Sequence, residues 1–213
     1  MGQGKRHLHL CQALYQMLKS ACSPDNTVGA DQFVYFDASN PKRCLAPDAF
    51  VTLGVRDHDF DAYLVWEEGT PTLAFEVLSP SDSPERWTFR EKLRRYQALG
   101  VRELVVFFVD GKEGRRLRAW DRIEHDLVER VVSNETTPCV TLGLTALVGP
   151  VEEYPIGLRL ARDPRGKELL LSYKEAATRA KEAATREKAQ RQTAEARVAE
   201  LERELAASKR KRR

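Results

Sequence analysis

Residues 72–109, TLAFEVLSPSDSPERWTFREKLRRYQALGVRELVVFFV, contain the elements that decide the fold. Two apolar runs, 72–78 and 104–109, stand at its ends. Successive residues of a strand point to opposite faces, and in both runs the two faces are mainly apolar. This is typical of central strands that are covered on both sides. Residues 84–99 between them predict a helix. Strand, helix and strand in this order predict a parallel unit with a right-handed crossover, in the middle of an α/β sheet.

The predicted helix has signals at both ends. Ser83 is a suitable N-cap, Pro84 suits the first helical position, and Glu85 places an acid in the first turn. Gly100 follows the last apolar position and favours a left-handed C-terminal cap. The helix is therefore predicted to end at Leu99.

Glu76 is a carboxylate in a strand that is otherwise apolar on both faces. Burying such a group costs several kcal/mol unless it is paired, protonated or bound to a cation. It also stands near the carboxyl end of the strand, where open α/β sheets place their ligands. Both its burial and its position indicate a functional carboxylate.

Lys92 is the basic residue of the predicted helix that points inward. The apolar arc of this helix consists of Phe89, Leu93, Tyr96 and Leu99. At about 100° per residue Lys92 falls inside that arc, whereas the other charged side chains of residues 90–95 fall outside it. The alternative is that the Lys92 stem covers apolar surface while its ammonium reaches solvent. Tyr96 is expected to pack against the sheet.

The remaining elements are shorter. Residues 5–19 predict an amphipathic helix with His7 and His9 near its start, and its inward stripe consists of Leu8, Cys11, Leu14, Tyr15 and Leu18. Short strands are predicted at 33–36, 49–53 and 61–66. An antiparallel pair at the sheet edge is predicted at 115–120 and 127–132, joined by 121–126. Core positions after it are Leu142, Leu144 and Leu147.

Asp48 precedes the predicted strand 49–53 and follows Pro47. Taken alone, this aspartate would be interpreted as a turn residue. The motifs that follow it along the chain suggest a different role for Asp48.

Four motifs occur in order: Pro47-Asp48, Glu76-Val-Leu-Ser-Pro-Ser81, Lys92-x3-Tyr96-x3-Gly100-Val-x-Glu103 and Val109-Asp110. Together they resemble the Uma-type putative restriction endonuclease family, of the PD-(D/E)XK nuclease superfamily. The likeness covers about residues 47–110, with weaker similarity in the leading helix and the tail. In such proteins the lysine expected two residues after the strand acid, here Leu78, has moved to the next helix. The family often has an acid one turn before that lysine, where this chain has Thr88.

The resemblance implies a restriction endonuclease-like α/β fold: a mixed sheet with a central βαβ unit flanked by helices, plus a long C-terminal helix. It implies a bacterial-type, metal-dependent endonuclease that hydrolyses DNA phosphodiesters, with Asp48, Glu76 and Lys92 as catalytic residues. Mg²⁺ or Mn²⁺ would be held by Asp48, Glu76 and the main-chain carbonyl of Val77. The His and Cys residues would take no part. A homodimer would suit cleavage of two strands, by analogy at the level of the fold.

The basic charge of the chain is concentrated in its tail. The chain carries 35 Lys and Arg against 32 Asp and Glu; residues 172–213 account for net +6 and the rest for net −3. The tail lacks Gly and Pro and is predicted to be helical, with coiled-coil quality only in its last stretch. We expect a nuclease-like domain at 1–165 and a helical tail at 166–213. Its basic end, Lys209, Arg210, Lys211, Arg212 and Arg213, could track phosphates or be a solvated terminus.

Composition narrows the class of protein. No apolar run approaches the length of about 20 residues that crosses a bilayer, and no signal segment opens the chain, so a soluble cytoplasmic protein is expected. The cysteines, Cys11, Cys22, Cys44 and Cys139, have no C-x-x-C spacing. Free thiols, at least partly buried, are therefore expected rather than disulfides or a zinc knuckle.

Three rival functions remain open at this point. The chain could be a non-catalytic member that binds nucleic acid or a partner protein. It could be an interaction protein whose tail forms a helical oligomer, although Glu187 and Arg191 at inner heptad positions disfavour a strong coil. It could also hydrolyse another phosphodiester, because no base-reading module is recognisable.

Overall fold

The structure, a computed structural model, describes residues 4–79 and 88–211, and the side chains of this range up to residue 198 and at 201. Its helices are α1 (Lys5–Ala21), α2 (Val65–Glu68), α3 (Phe89–Leu99) and α4 (Tyr173–Lys211). The strands of the described range are β1 (Thr27–Gly29), β2 (Val34–Tyr35), β3 (Cys44–Leu45), β4 (Ala49–Thr52), β5 (Tyr63–Leu64), β6 (Leu73–Leu78), β7 (Glu103–Phe108), β8 (Leu117–Ile123), β9 (Asp126–Arg130), β10 (Thr136–Cys139), β11 (Leu144–Val151) and β12 (Tyr154–Ala161).

A six-stranded mixed sheet forms the centre of the first part of the chain. Its strand order is β1-β4-β6-β7-β8-β9. The two apolar runs identified in the sequence are the central strands β6 and β7, which pair in parallel with Glu76 opposite Val106. The other neighbours in this sheet pair antiparallel. The predicted mixed α/β sheet with a central βαβ unit is thus confirmed.

Different elements cover the two faces of this sheet. On one face, α1 and a second antiparallel sheet, β10-β11-β12, share a core with Leu73, Phe75 and Val77 of β6. On the other face, α3 and the small sheet β3-β2-β5 pack on Ala74 and its neighbours. Alternate residues of β6 therefore face two separate cores, which explains why the strand is apolar throughout.

Helix α1 confirms the predicted helix but buries a different stripe from the one predicted. Leu8, assigned to the inward stripe, is 44% exposed. The buried side chains are those of His7, Leu10, Ala13, Leu14, Met17 and Leu18. These positions follow the spacing of three and four residues as well as the predicted set does. The buried stripe is rotated away from Leu8, and it includes a histidine.

Helix α3 begins at Phe89, later than the sequence predicted. Thr88 has extended backbone and forms a capping box: its hydroxyl accepts a hydrogen bond from the Glu91 N–H, and the Glu91 carboxylate accepts one from the Thr88 N–H. The predicted start at Ser83, Pro84 and Glu85 lies outside the described residues. At the other end Gly100 has a φ of 95°, the left-handed cap that was predicted.

The C-terminal elements include one sheet that was not predicted. Strands β8 and β9 form the predicted antiparallel edge pair, but they extend through most of 121–126 and leave a turn at Glu124 and His125. The sheet β10-β11-β12 was predicted only as scattered core leucines. Of these Leu144 is buried, whereas Leu142 and Leu147 are half-buried.

The chain divides into two compact units between Ser172 and Tyr173. Residues 166–172, assigned to the tail from sequence, bond with the first unit: the Leu170 N–H donates to the Leu160 carbonyl, and the Ser172 hydroxyl donates to Glu152. The second unit is the long helix α4, and its described side chains are almost all exposed. The side chains of residues 209–213 lie outside the described set. No described helix is long and apolar enough to span a membrane.

Candidate active site

Two carboxylates meet beside the carboxyl end of β6. Asp48 directly precedes β4, and because β4 pairs with β6 so that Ala49 faces Phe75, Asp48 lies alongside Glu76 and Val77. The Asp48 Oδ2 accepts a hydrogen bond of 2.7 Å from the Val77 N–H. Asp48 is buried, so the interpretation as an ordinary turn residue does not describe it.

Glu76 is held by two side chains of α3. Its Oε2 lies 2.5 Å from the Lys92 Nζ, and its Oε1 accepts a hydrogen bond from the Tyr96 hydroxyl. The Lys92 side chain is 16% exposed, so its ammonium points at the sheet and not into solvent. Tyr96 packs against the sheet as predicted, but its hydroxyl also orients Glu76.

The surroundings of Glu76 disfavour its charged form. Burial raises the pKa of its carboxyl to about 8, and the nearby Asp48 carboxylate acts in the same direction. Lys92 and Tyr96 oppose this shift by stabilising the carboxylate. Two acids share a site of low dielectric here, which is the setting in which an added cation is most strongly attracted.

The main chain of Val77 adds a further oxygen. Its N–H donates to Asp48, the residue that directly precedes the β4 segment paired with β6. In a strand the N–H and C=O of one residue point to the same side. The Val77 carbonyl is therefore directed toward the same side as Asp48.

The structure adds His7 and Cys11 of α1 to this site, where sequence reasoning expected no role for them. The His7 Nε2 lies 3.1 Å from the Asp48 Oδ1, and the Cys11 Sγ lies 3.3 Å from the same nitrogen. One ligand atom from each of the three residues lies within 4.8 Å of the others. The four-residue spacing of His7 and Cys11 was the available signal, because it places both on one helix face.

Asp31 is a further acid near this group. Its backbone N–H donates to the Pro47 carbonyl, which brings the segment close to Asp48. Loss of solvent around its carboxylate and the charge of Asp48 raise the pKa of Asp31, while His7 lowers it. With Asp48 and Glu76, Asp31 is one of three carboxylates whose charges act on the Cys11 thiol of α1.

The order of the motifs along the chain does not mean that every acid is at one site. Glu103, which closes the third motif, is buried at the start of β7, at the opposite end from Asp110. Its carboxylate accepts hydrogen bonds from Arg130, from the Val140 N–H and from the Thr141 N–H and hydroxyl. Glu103 therefore joins the sheet to the β10–β11 segment and acts as a structural anchor.

Asp110, the acid of the last motif, follows β7 on the same side of the sheet as Ser79. The Ser79 hydroxyl donates to its Oδ2 at 3.1 Å, and the Arg6 guanidinium lies 3.3 Å from its Oδ1. A cavity of about 1000 Å³ opens beside these residues, and Arg115 and Arg118 line it. Polar and basic groups thus continue outward from the ends of β6 and β7.

A family model described as Uma2, Putative restriction endonuclease, matches residues 1–148. The chain belongs to this family. The Uma2 match includes Asp48, Glu76 and Lys92 and also His7 and Cys11, whereas α4 lies beyond it. A solved structure described as a putative nuclease belonging to DUF820, from Anabaena variabilis, is 15% identical with a TM-score of 0.46, over 82% of this chain and 81% of that one. No curated protein matches the sequence.

Proposed function

We propose that the chain is a divalent-metal-dependent nuclease that hydrolyses DNA phosphodiesters, with Asp48, Glu76 and Lys92 as its catalytic residues. The observation that carries this proposal is the meeting of Glu76, buried in a central strand, with a lysine from the next helix and an aspartate from a separate strand. Membership of the Uma2 family supports the nuclease class, and its description as a restriction endonuclease supports DNA as the substrate.

The residues present fit a hard divalent ion. Asp48, Glu76 and the Val77 carbonyl offer oxygen atoms, which Mg²⁺ and Mn²⁺ prefer. Burial raises the pKa of Glu76, and the Asp48 carboxylate raises it further; a cation beside the two carboxylates would oppose both effects. When bound, such an ion supplies a Lewis acid for the phosphate and lowers the pKa of a bound water.

The protein's own groups would position the reacting atoms. Lys92 is held by Glu76 at the margin of the buried site, where its ammonium would orient the attacking water or stabilise charge on the phosphate oxygens. The Val77 N–H fixes one oxygen of Asp48, and the Tyr96 hydroxyl fixes one oxygen of Glu76. Both carboxylates are thereby oriented before any ligand enters.

The wider assignments belong to the same proposal. The first unit would be the nuclease domain, and the basic residues at 209–213 would track the DNA backbone. A homodimer would let two such sites cut two strands. Each of these rests on the catalytic assignment.

The assay compares supercoiled plasmid with labelled single-stranded and double-stranded oligonucleotides, in Mg²⁺, Mn²⁺ or EDTA. We expect cleavage only with the ions, and a fall of at least about 100-fold in Asp48→Asn, Glu76→Gln and Lys92→Ala. Lys42→Ala, which removes an exposed lysine, serves as the matched control and should cleave normally. Melting temperatures are measured in parallel.

Cleavage in EDTA, or cleavage that survives both Glu76→Gln and Lys92→Ala, would refute the proposal. Activity lost only in proportion to stability would identify the cluster as a structural network. Folded protein that cuts under no condition but binds DNA without divalent ions would identify a non-catalytic member. The rate on single against double strands, and its dependence on protein concentration, report on the substrate and on dimerisation.

A further inference from the structure

The cluster of His7, Cys11 and Asp48 has a chemistry different from that of the proposed nuclease site. Imidazole nitrogen and thiol sulfur are poor ligands for Mg²⁺, which prefers oxygen. Nitrogen, sulfur and a carboxylate together are the ligand types that bind Zn²⁺ and related ions. His7 and Cys11 stand four residues apart on α1, so a single helix face presents both atoms.

The spacing of the three ligand atoms suits a single ion. Zinc lies about 2.0–2.3 Å from its ligands, so two ligands of a tetrahedral site are separated by roughly 3.3–3.7 Å. The His7 Nε2 lies 3.1 Å from the Asp48 Oδ1 and 3.3 Å from the Cys11 Sγ. All three atoms fall within 4.8 Å of one another. The two separations from the His7 Nε2 are thus within a few tenths of an ångström of those of a tetrahedral site.

The group is also placed where a cation is attracted. His7 and Asp48 are each only 7% exposed. Burial raises the pKa of the Cys11 thiol, and the carboxylates of Asp48, Glu76 and Asp31 raise it further. An ion bound here would face the charges of these three acids, and the proton that the thiol gives up on binding would pass to solvent.

We propose that the His7 Nε2, the Cys11 Sγ and the Asp48 carboxylate form a binding site for one divalent transition ion of the zinc class. Three protein ligands leave a fourth position for water. Because Asp48 serves both sites, occupancy by such an ion withdraws that carboxylate from Mg²⁺ and inhibits cleavage. The inhibition rests on the proposed nuclease function, whereas the binding of the ion does not.

Cobalt is the probe for binding, because Co²⁺ replaces Zn²⁺ and its thiolate complexes absorb in the near ultraviolet and visible. The full-length chain, reduced and metal-free, is titrated with Co²⁺. We expect one equivalent to produce a thiolate charge-transfer band and the strong visible bands of a tetrahedral site. Zn²⁺ should abolish these bands stoichiometrically, and saturation should raise the melting temperature.

Matched variants assign the ligands. Cys11→Ser should remove the charge-transfer band, whereas Cys22→Ser at the end of the same helix should keep it. His7→Ala should weaken Co²⁺ binding at least about tenfold, whereas His9→Ala, two residues away, should not. A folded wild-type chain without the band, or a band that persists in Cys11→Ser, would overturn the proposal and leave His7 as a group that orients Asp48.

The inhibition is tested separately, with Zn²⁺ added at fixed Mg²⁺ and each variant compared with its own zinc-free rate. Zn²⁺ should inhibit the wild type with the affinity measured by cobalt displacement, and at least about tenfold more weakly in Cys11→Ser. Cobalt binding without any DNA cleavage would refute the nuclease alone. Cleavage without cobalt binding would refute this site alone.

Discussion

Single residues at this site combine packing with polar roles, and Tyr96 is the clearest case. Its ring is buried in the core beneath α3, and its hydroxyl donates to the Glu76 carboxylate. The sequence identified the ring as packing because Tyr96 falls in the apolar arc of the helix. The hydroxyl bond could not be predicted from periodicity, because it depends on how deep the helix sits on the sheet.

Tyr96→Phe should keep the packing and lose the bond to Glu76. We expect the free energy of unfolding to fall by about 1 kcal/mol, and cleavage to fall about tenfold because Glu76 loses one of its two fixed contacts. Denaturant unfolding and the plasmid assay measure the two effects. Tyr63→Phe removes another buried hydroxyl, one bonded to Thr52 away from the site, and should lose stability alone. Equal loss of cleavage in both variants would contradict a positioning role for Tyr96.

At the scale of elements, the capped first turn of α3 contains Lys92, the lysine that we propose to be catalytic. Lys92 is the fourth residue of the helix, and its N–H donates to the Thr88 carbonyl. The predicted cap at Ser83 had the right chemistry, but Thr88 with Glu91 offers the reciprocal pair of the capping box. Two candidate caps five residues apart cannot be ranked without the position of the sheet beneath them.

Thr88→Ala removes this cap. We expect a loss of about 1 kcal/mol in the free energy of unfolding, because the Glu91 N–H loses its acceptor. Thr88→Ser keeps the hydroxyl and should stay within a few tenths of a kcal/mol of the wild type. Urea denaturation of the three proteins checks this. Equal stability of Thr88→Ala and wild type would show that the capping box does not stabilise α3.

At the scale of the whole molecule, residues 166–172 decide where the first compact unit ends. Residues 166–172 contact β12: Leu170 is buried, and its carbonyl accepts a hydrogen bond from the buried Arg159 guanidinium. The composition of the tail changes gradually in this stretch, so sequence alone put the boundary at 165. The packing of Leu170 and the buried Arg159 favours a division at Ser172, where the two compact units separate.

Two truncations distinguish these boundaries. A chain ending at Ser172 should unfold in one cooperative transition at the melting temperature of the full-length first unit. A chain ending at Arg165 should lose about 3 kcal/mol, because the burial of Leu170 is lost and Arg159 loses its buried acceptor. Calorimetry measures both. Equal stability of the two truncations would place the boundary at 165.

The sequence by itself determined the central βαβ unit and singled out Glu76 and Lys92, whereas Asp48 entered the proposed catalytic triplet only through the family resemblance. Apolar runs, a capped helix and one acid in an apolar strand are local patterns, and the cost of burying Glu76 can be anticipated from its neighbours alone. Only the tertiary structure decided which residues join that acid. His7 meets Asp48 across 41 positions of the chain, and the rotation of α1 that permits this depends on packing against two sheets. Contacts between distant segments depend on how elements dock, which no local pattern encodes.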